Sequence, residues 1–220
     1  MRRPGSVPTS AELEADRTKA LAAVPVSRET AARLNDFVQL LLKWQRTTNL
    51  VAPASLSEVW TRHVLDSLQL LALAPDALTW VDLGSGGGFP GLVVACALAE
   101  TGGTVQLVES NAKKAAFLRE TARALRLPGL VHATRIEDFA KAWTGPADVV
   151  TARALAPLSS LLAYAEPLLK TGAQALFFKG QDVESELTEA SRYWSMEADL
   201  VPSRTSVSGR IVVVRSARRI

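Results

Sequence analysis

The sequence predicts an α/β protein: a mostly parallel sheet covered by helices on both faces and preceded by a helical extension. Three observations carry this expectation. Apolar residues recur at helical spacing through the first third of the chain, short β-type runs alternate with helical stretches from residue 79 onward, and a glycine-dense turn directly follows the first of those runs. With 220 residues and 48% hydrophobic content, the chain can bury a full core but cannot hold two large domains.

Residues 1 to about 10, rich in Arg, Pro, Ser and Gly, read as a loose leader. Arg2 and Arg3 are followed by Pro4, Gly5 and Ser6 rather than an apolar run, which does not fit a secretory signal. A helical pattern covers 10–22. In 28–46, Ala31, Leu34, Phe37, Val38, Leu41, Leu42 and Gln45 fall three and four apart, as one buried helix face requires, and Ser27 suits the N-cap. Residues 55–73 repeat the period through Leu56, Val59, Trp60, His63, Val64, Ser67, Leu68 and Leu71; Trp44 and Trp60 fit a core role. Strands are expected at 79–83, 104–108, 129–134, 147–151, 173–178 and 210–215, and helices near 90–100, 111–126, 157–169 and 183–194. A helical extension, 1–75, therefore meets an α/β body, 76–220, near Pro75, with a core shared between them. The stretch Leu83 to Ala99 is uncharged but holds five glycines and a proline, a poor membrane span, so no membrane partner is expected.

Composition narrows the chemistry. A single cysteine, Cys96, forbids an internal disulfide, and two histidines with one cysteine cannot build a zinc-finger array. No metal is expected, and the setting is read as reducing and cytoplasmic. Net charge is +3, but Arg204, Arg210, Arg215, Arg218 and Arg219 stand in the last 17 residues without an acid. A second basic cluster, Lys113, Lys114, Arg119, Arg123 and Arg126, falls on one expected helix. Both are compatible with a nucleic-acid partner and equally with solvated charged faces.

The strongest signal is Val81-Asp82-Leu83-Gly84-Ser85-Gly86-Gly87-Gly88-Phe89-Pro90-Gly91. Glycines at the end of a first parallel strand let the backbone turn sharply and approach a ligand closely, and Pro90 suits the first turn of the next helix. Gly86, Gly88 and Gly91 also satisfy the dinucleotide fingerprint. Asp82, two residues before Gly84, would repel a pyrophosphate, whereas it can hold the loop and a bound ammonium group. The pattern thus resembles the first motif of class I S-adenosylmethionine (AdoMet) methyltransferases. The loop lacks the Gly-Lys-Ser/Thr ending of a P-loop. Glu109, ending the second strand, can accept both hydroxyls of a ribose, or be an exposed strand-end acid. Glu137, after the third strand, can meet an adenine amino group or serve only as a helix N-terminal acid.

Beyond the loop stand Asn49-Leu50, Arg62-His63-Val64-Leu65-Asp66-Ser67, Arg153-Ala154 after the fourth strand and Lys179-Gly180 after the fifth. With the helical lead, residues 28 to 215 resemble the bacterial small-subunit ribosomal RNA methyltransferase G family, formerly called glucose-inhibited division protein B. The resemblance implies a Rossmann-like class I methyltransferase fold and methyl transfer from AdoMet to N7 of a guanine in the 530 loop of 16S rRNA, yielding S-adenosylhomocysteine. It implies cofactor contacts at Asp82, Gly84, Gly86, Phe89, Glu109, Ser110, Asn111, Ile136, Glu137 and Arg153. The substrate would be 16S rRNA or the small ribosomal subunit, and the protein is expected to act as a monomer. Thr151-Ala152 precede Arg153 where a serine often stands in the family.

The residues bear on the chemistry independently. Methylating C5 of a pyrimidine requires a nucleophilic cysteine, but Cys96 lies in an apolar helical run. Methylating an exocyclic amine commonly uses an Asn/Asp-Pro-Pro-aromatic element, where this chain has Thr151-Ala152-Arg153-Ala154-Leu155. Guanine N7 has an in-plane lone pair and no proton to lose, so alignment and desolvation suffice and no general base is expected. Arg153 and Lys179 are candidate positioning residues for the base or a phosphate. Arg62, His63, Asp66 and Asn49 are candidates for bracing the pocket or guiding RNA, or for joining the extension to the body. A class I methyltransferase acting on a small molecule or protein is the alternative, and a non-enzymatic RNA-binding module a third reading.

Overall fold

The structure, a computed structural model, describes residues 8–220; most of the leader read over 1–10 lies outside the described residues. Helix α1, Ser10–Ala23, opens with a capping box: Glu12 N donates to the Thr9 hydroxyl, and Thr9 N donates to the Glu12 carboxylate. In α2, Arg28–Gln45, the Ser27 hydroxyl accepts from Thr30 N at 3.0 Å, and Leu34, Phe37, Val38 and Leu41 are buried at the expected spacing. Gln45 then shapes the following loop, its Oε1 accepting from the amides of Leu50 and Val51.

Where sequence periodicity predicts one helix over 55–73, the backbone changes pitch three times. A 3-10 segment Pro53–Glu58 leads into a π-helix, Trp60–Leu65, then a single turn α3, Asp66–Leu68, and a 3-10 segment Gln69–Leu73. Asp16 of α1 supplies the reason: its carboxylate accepts from the Trp60 and Thr61 amides and from the Thr61 hydroxyl, capping the π-helix from outside. The wide turn carries Arg62 and His63 on the side facing the body.

The sheet has the order β3-β2-β1-β4-β5-β7-β6. Strands β1 (Thr79–Leu83), β2 (Thr104–Val108), β3 (Gly129–His132), β4 (Val149–Arg153) and β5 (Gln174–Lys179) are parallel; β7 (Arg210–Arg219) runs antiparallel to β5 and to β6 (Trp194–Pro202). Helices α4 (Gly91–Leu98), α5 (Ala112–Ala124), α6 (Ile136–Ala142), α7 (Leu158–Leu169) and α8 (Val183–Ala190) complete the layers. Alternation within β1 divides the core. Trp80 joins one cluster with Leu34, Phe37, Trp60, Leu92 and Phe117, so the N-terminal helices share a core with one face of the sheet. Val81 and Leu83 join the other cluster, with Leu161, Leu162 and Phe177.

Three elements differ from expectation. Helix α8 ends at Ala190 and the residues beyond it become β6, whose acids Glu197 and Asp199 face solvent while Trp194 is buried. Helix α6 is too short for its period to stand out. Strand β4 starts two residues late because Asp148 serves as a staple, its Oδ2 accepting from the Leu78 and Thr79 amides at 2.9 and 2.7 Å. Arg153 is consequently the last residue of β4, aimed over the C-terminal edge of the sheet. Among the described residues no helix is long and apolar enough to cross a membrane.

Candidate active site

After β1 the chain turns at once, Gly84 N and Ser85 N both donating to Val108 O at 2.9 and 3.0 Å. Gly86 has φ +53°, and a Cβ built there would meet nothing nearer than Gly84 O at 3.6 Å, so its bare backbone faces open space. Beneath the loop, Asp82 is 1% exposed. Its Oδ1 accepts from the Thr151 hydroxyl at 2.9 Å and its Oδ2 from Gly91 N at 3.1 Å, tying β1 to β4 and to the start of α4. Burial raises its pKa from 3.8 to about 6, and the hydrogen bonds only partly oppose that.

The shift has a sign that can be measured. Between the unfolded value, 3.8, and about 6 the native state holds a proton the unfolded state has lost, so this group's contribution to stability falls as pH rises. The fall is about 3 kcal/mol in total. Asp82→Asn can keep both contacts, its amide oxygen accepting from Gly91 N and its NH₂ donating to the Thr151 hydroxyl. Urea midpoints of the two proteins are therefore expected to diverge in favour of the variant from about pH 4 to 6.5; parallel curves would contradict the buried-carboxylate account.

Above the loop lies a cavity of about 460 Å³. The backbone of Gly84 to Gly87 and the Phe89 ring form its floor, Arg62, His63 and Asp66 one wall, Arg153 and Ala154 another, and Lys114, Thr205 and Ser206 its rim. The Arg153 guanidinium lies 5.2 Å from the Phe89 centroid, donates to Arg62 O at 3.3 Å and stands 3.9 Å from Asp66 Oδ2. Asp66 also fastens the β6–β7 hairpin, its Oδ1 accepting from Ser203 at 3.0 Å and Thr205 at 2.8 Å, while Gln69 Oε1 accepts from Arg204 N. The hairpin is thereby held at the cavity mouth.

His63 also packs on Phe89, with ring centroids 5.0 Å apart. The Ser55 hydroxyl donates to Ala52 O, so it can only accept from His63 Nε2, 2.8 Å away, which therefore carries the proton. Nδ1 is buried without a partner among the described residues. Burial, then the charges of Arg153 and Arg62, lower the His63 pKa to about 3. The imidazole is neutral at physiological pH and far too weak a base to hold a second proton there.

The model of the rRNA small subunit methyltransferase G family matches residues 30–211. The chain belongs to this family. Relatives bearing the name "Ribosomal RNA small subunit methyltransferase G" include a Bradyrhizobium sp. BTAi1 protein, 58% identical over 220 residues and covering 100% of this chain and 99% of the relative. Another, from Nitrobacter hamburgensis, is 59% identical over 199 residues, 90% of this chain and 76% of the relative. Among solved structures, the O-methyltransferase from Bacillus cereus in complex with SAH shares the fold. It has a TM-score of 0.59 and 16% identity, with coverage of 94% of this chain and 99% of that one.

Of the side chains expected from the family resemblance, the structure gathers Arg62, His63, Asp66, Phe89 and Arg153 around one cavity, above Gly84 and Gly86. Others lie beneath or beside it. Both Asp82 oxygens are engaged in the loop–helix junction, so it shapes the loop rather than facing the cavity. Glu109, 8% exposed, accepts from Gly86 N at 2.9 Å and Asn111 N at 2.7 Å. Asn111 caps α5, accepting from the amides of Lys113 and Lys114, and Ser110 is exposed beside it. Ile136 and Glu137 open α6 away from the cavity, Glu137 exposed and Ile136 half-buried. Asn49 is exposed, 3.4 Å from Gln45 Nε2. Lys179 pairs with Glu186 at 2.5 Å and donates to Ala156 O at 2.9 Å, so its charge is committed to holding the loop after β4. Sequence reading missed Lys114, Thr205 and Ser206 as cavity residues; the last two arrive on a hairpin whose first strand, β6, was not expected.

Proposed function

We propose that this chain transfers the methyl group of AdoMet to N7 of a guanine in the 530 loop of small-subunit rRNA, releasing S-adenosylhomocysteine. The observation that carries the reading is the cavity itself: a cationic positioning group, Arg153, faces the glycine loop while the one imidazole present is neutral and too weakly basic to take a proton. The thiol that could serve a covalent route, Cys96, is 0% exposed inside α4, with burial pushing it up to about 12. Such a site suits a nucleophile that arrives with a free lone pair.

The residues fit AdoMet. Gly86 offers bare backbone, and each Glu109 oxygen keeps a second lone pair beyond its bond to an amide, so the carboxylate can accept ribose hydroxyls. Asn111 N donates to Glu109 while the Asn111 side chain caps α5, and the adenine contacts at Ile136 and Glu137, which open α6 past β3, rest on the family resemblance alone. When bound, AdoMet supplies an electrophilic methyl group. The protein's own part is geometric. Phe89, Arg62 and Asp66 hold the Arg153 guanidinium in place, leaving donors of its five for the guanine O6 edge. Phe89 and the hairpin residues Thr205 and Ser206 narrow the space left to water. In this reading the extension, 1–75, and the body, 76–220, act together, because residues of both line the cavity.

The substrate class is tested by initial rates of methyl incorporation into deproteinised small-subunit rRNA, assembled small subunits, a soluble-protein pool and a small-molecule extract. Incorporation into rRNA or subunits is expected; incorporation confined to the protein or small-molecule pool would overturn the reading. The rate is also expected to stay level between about pH 7 and 8.5, since His63 stays neutral across that range. A sigmoidal rise centred near pH 7 would give His63 a base's role.

A further inference from the structure

The two basic clusters of the sequence meet different fates in the fold. Of the C-terminal arginines, Arg204 stands in the turn between β6 and β7 and the other four lie on β7, where Arg215 pairs with Asp199 at 2.6 Å and Arg219 approaches Glu166 at 3.5 Å while covering the Trp194 ring. Two of the five are thereby answered by acids of the protein itself, and Arg210 donates to Val207 O and Gly209 O. On α5, Arg119, Arg123 and Arg126 fall at i, i+4 and i+7 along one side of the helix and its end. Among the described residues none of the three forms an ion pair. The acid within this stretch, Glu120, accepts instead from the Trp44 indole at 3.5 Å. The three arginines line a concavity of about 450 Å³ against edge strand β3, floored by Leu127 and Gly129 and bordered by Leu130, which is 57% exposed.

We infer that this groove binds the phosphate backbone of the substrate RNA at a distance from the target base. The inference rests on the proposed rRNA reading and extends it to a second contact surface. Helix α5 connects the two places: Lys114, in its first turn, is on the rim of the catalytic cavity, and Arg126 just beyond its end is 12 residues further on. At 1.5 Å per residue the two places are roughly 18 Å apart along the helix axis. Three unpaired guanidinium groups in one concavity present forked donors suited to phosphate oxygens, and Leu130 offers apolar surface for a sugar face. A protein partner is disfavoured by the density of like charge at the centre of the patch, where protein interfaces are depleted of charge.

The test compares the unsubstituted protein with R119Q/R123Q/R126Q for binding deproteinised small-subunit rRNA across a salt series, apart from methyl transfer. Each phosphate released lowers the slope of log affinity against log salt by about 0.7–0.9, so the triple variant is expected to lose about 2–3 units of slope. Its KM for RNA is expected to rise tenfold or more, with kcat at saturating RNA and AdoMet affinity unchanged. An unaltered slope and KM would overturn the inference. So would unaltered RNA binding with loss of affinity only for assembled subunits, which would assign the groove to a ribosomal protein. Failure of the unsubstituted protein to methylate rRNA that it nevertheless binds would count against the catalytic reading instead, and the slope would still decide the groove.

Discussion

Replacing Arg153 with alanine is expected to lower kcat/KM for rRNA methylation by about a hundredfold or more. The side chain is where three supports meet: the Phe89 ring beneath it, Arg62 O at 3.3 Å and Asp66 at 3.9 Å. The two cations expected beside it are otherwise engaged, Lys179 with Glu186 and Arg62 toward Glu58 at 3.8 Å. Arg153→Lys would keep charge without the planar fork, so it should recover a minor part of the loss. The alanine variant carries an internal check in His63: removing one of the charges that depress its pKa should move that pKa upward, visible by NMR titration. Activity within threefold of the unsubstituted protein would show that Arg153 is not at the reacting centre.

The largest expected loss of stability is at Gly91. A Cβ there would stand 2.3 Å from Leu107 Cδ2 and 2.6 Å from Asp82 Oδ2, so Gly91→Ala must push β2 and α4 apart or displace the carboxylate that holds the loop. Overpacking and a strained Asp82 contact together should cost about 3–5 kcal/mol. In a chain of this size that lowers Tm by about 10 °C or more. Gly172→Ala is the control. Its φ is +97° but a Cβ would meet nothing within 4 Å, so only backbone strain of about 1–2 kcal/mol remains. A Gly91→Ala protein as stable as the Gly172→Ala protein would contradict the account of the β1–α4 junction.

What was legible in the sequence was what repeats or what only glycine can do. The period of α2, the run Thr79 to Leu83 and the glycine turn announce themselves through local pattern, and the observed bounds follow them closely. The π-helix is invisible to a period count because its cause, Asp16, sits 44 residues before Trp60. Strand β6 is hidden for a related reason: its solvent-facing acids suit a helix as well as an edge strand, and pairing with β7 decides between them. At the site, residue identity pointed to Arg153, His63 and Asp66, but not to the division of labour. That Asp82 faces the α4 amide, that Lys179 is neutralised by Glu186, and that the hairpin brings Thr205 to the rim depend on contacts across the chain.

The central claim is that the cavity between the glycine loop and Arg153 directs methyl transfer to guanine N7. The most direct test is nucleoside mass spectrometry of small-subunit rRNA from a source lacking the modification, after incubation with isotope-labelled AdoMet and either the unsubstituted protein or its Arg153→Ala and Glu109→Ala variants. The account predicts labelled 7-methylguanosine from the unsubstituted protein and a severe loss from both variants. Label in another nucleoside, or 7-methylguanosine undiminished by either substitution, would contradict it.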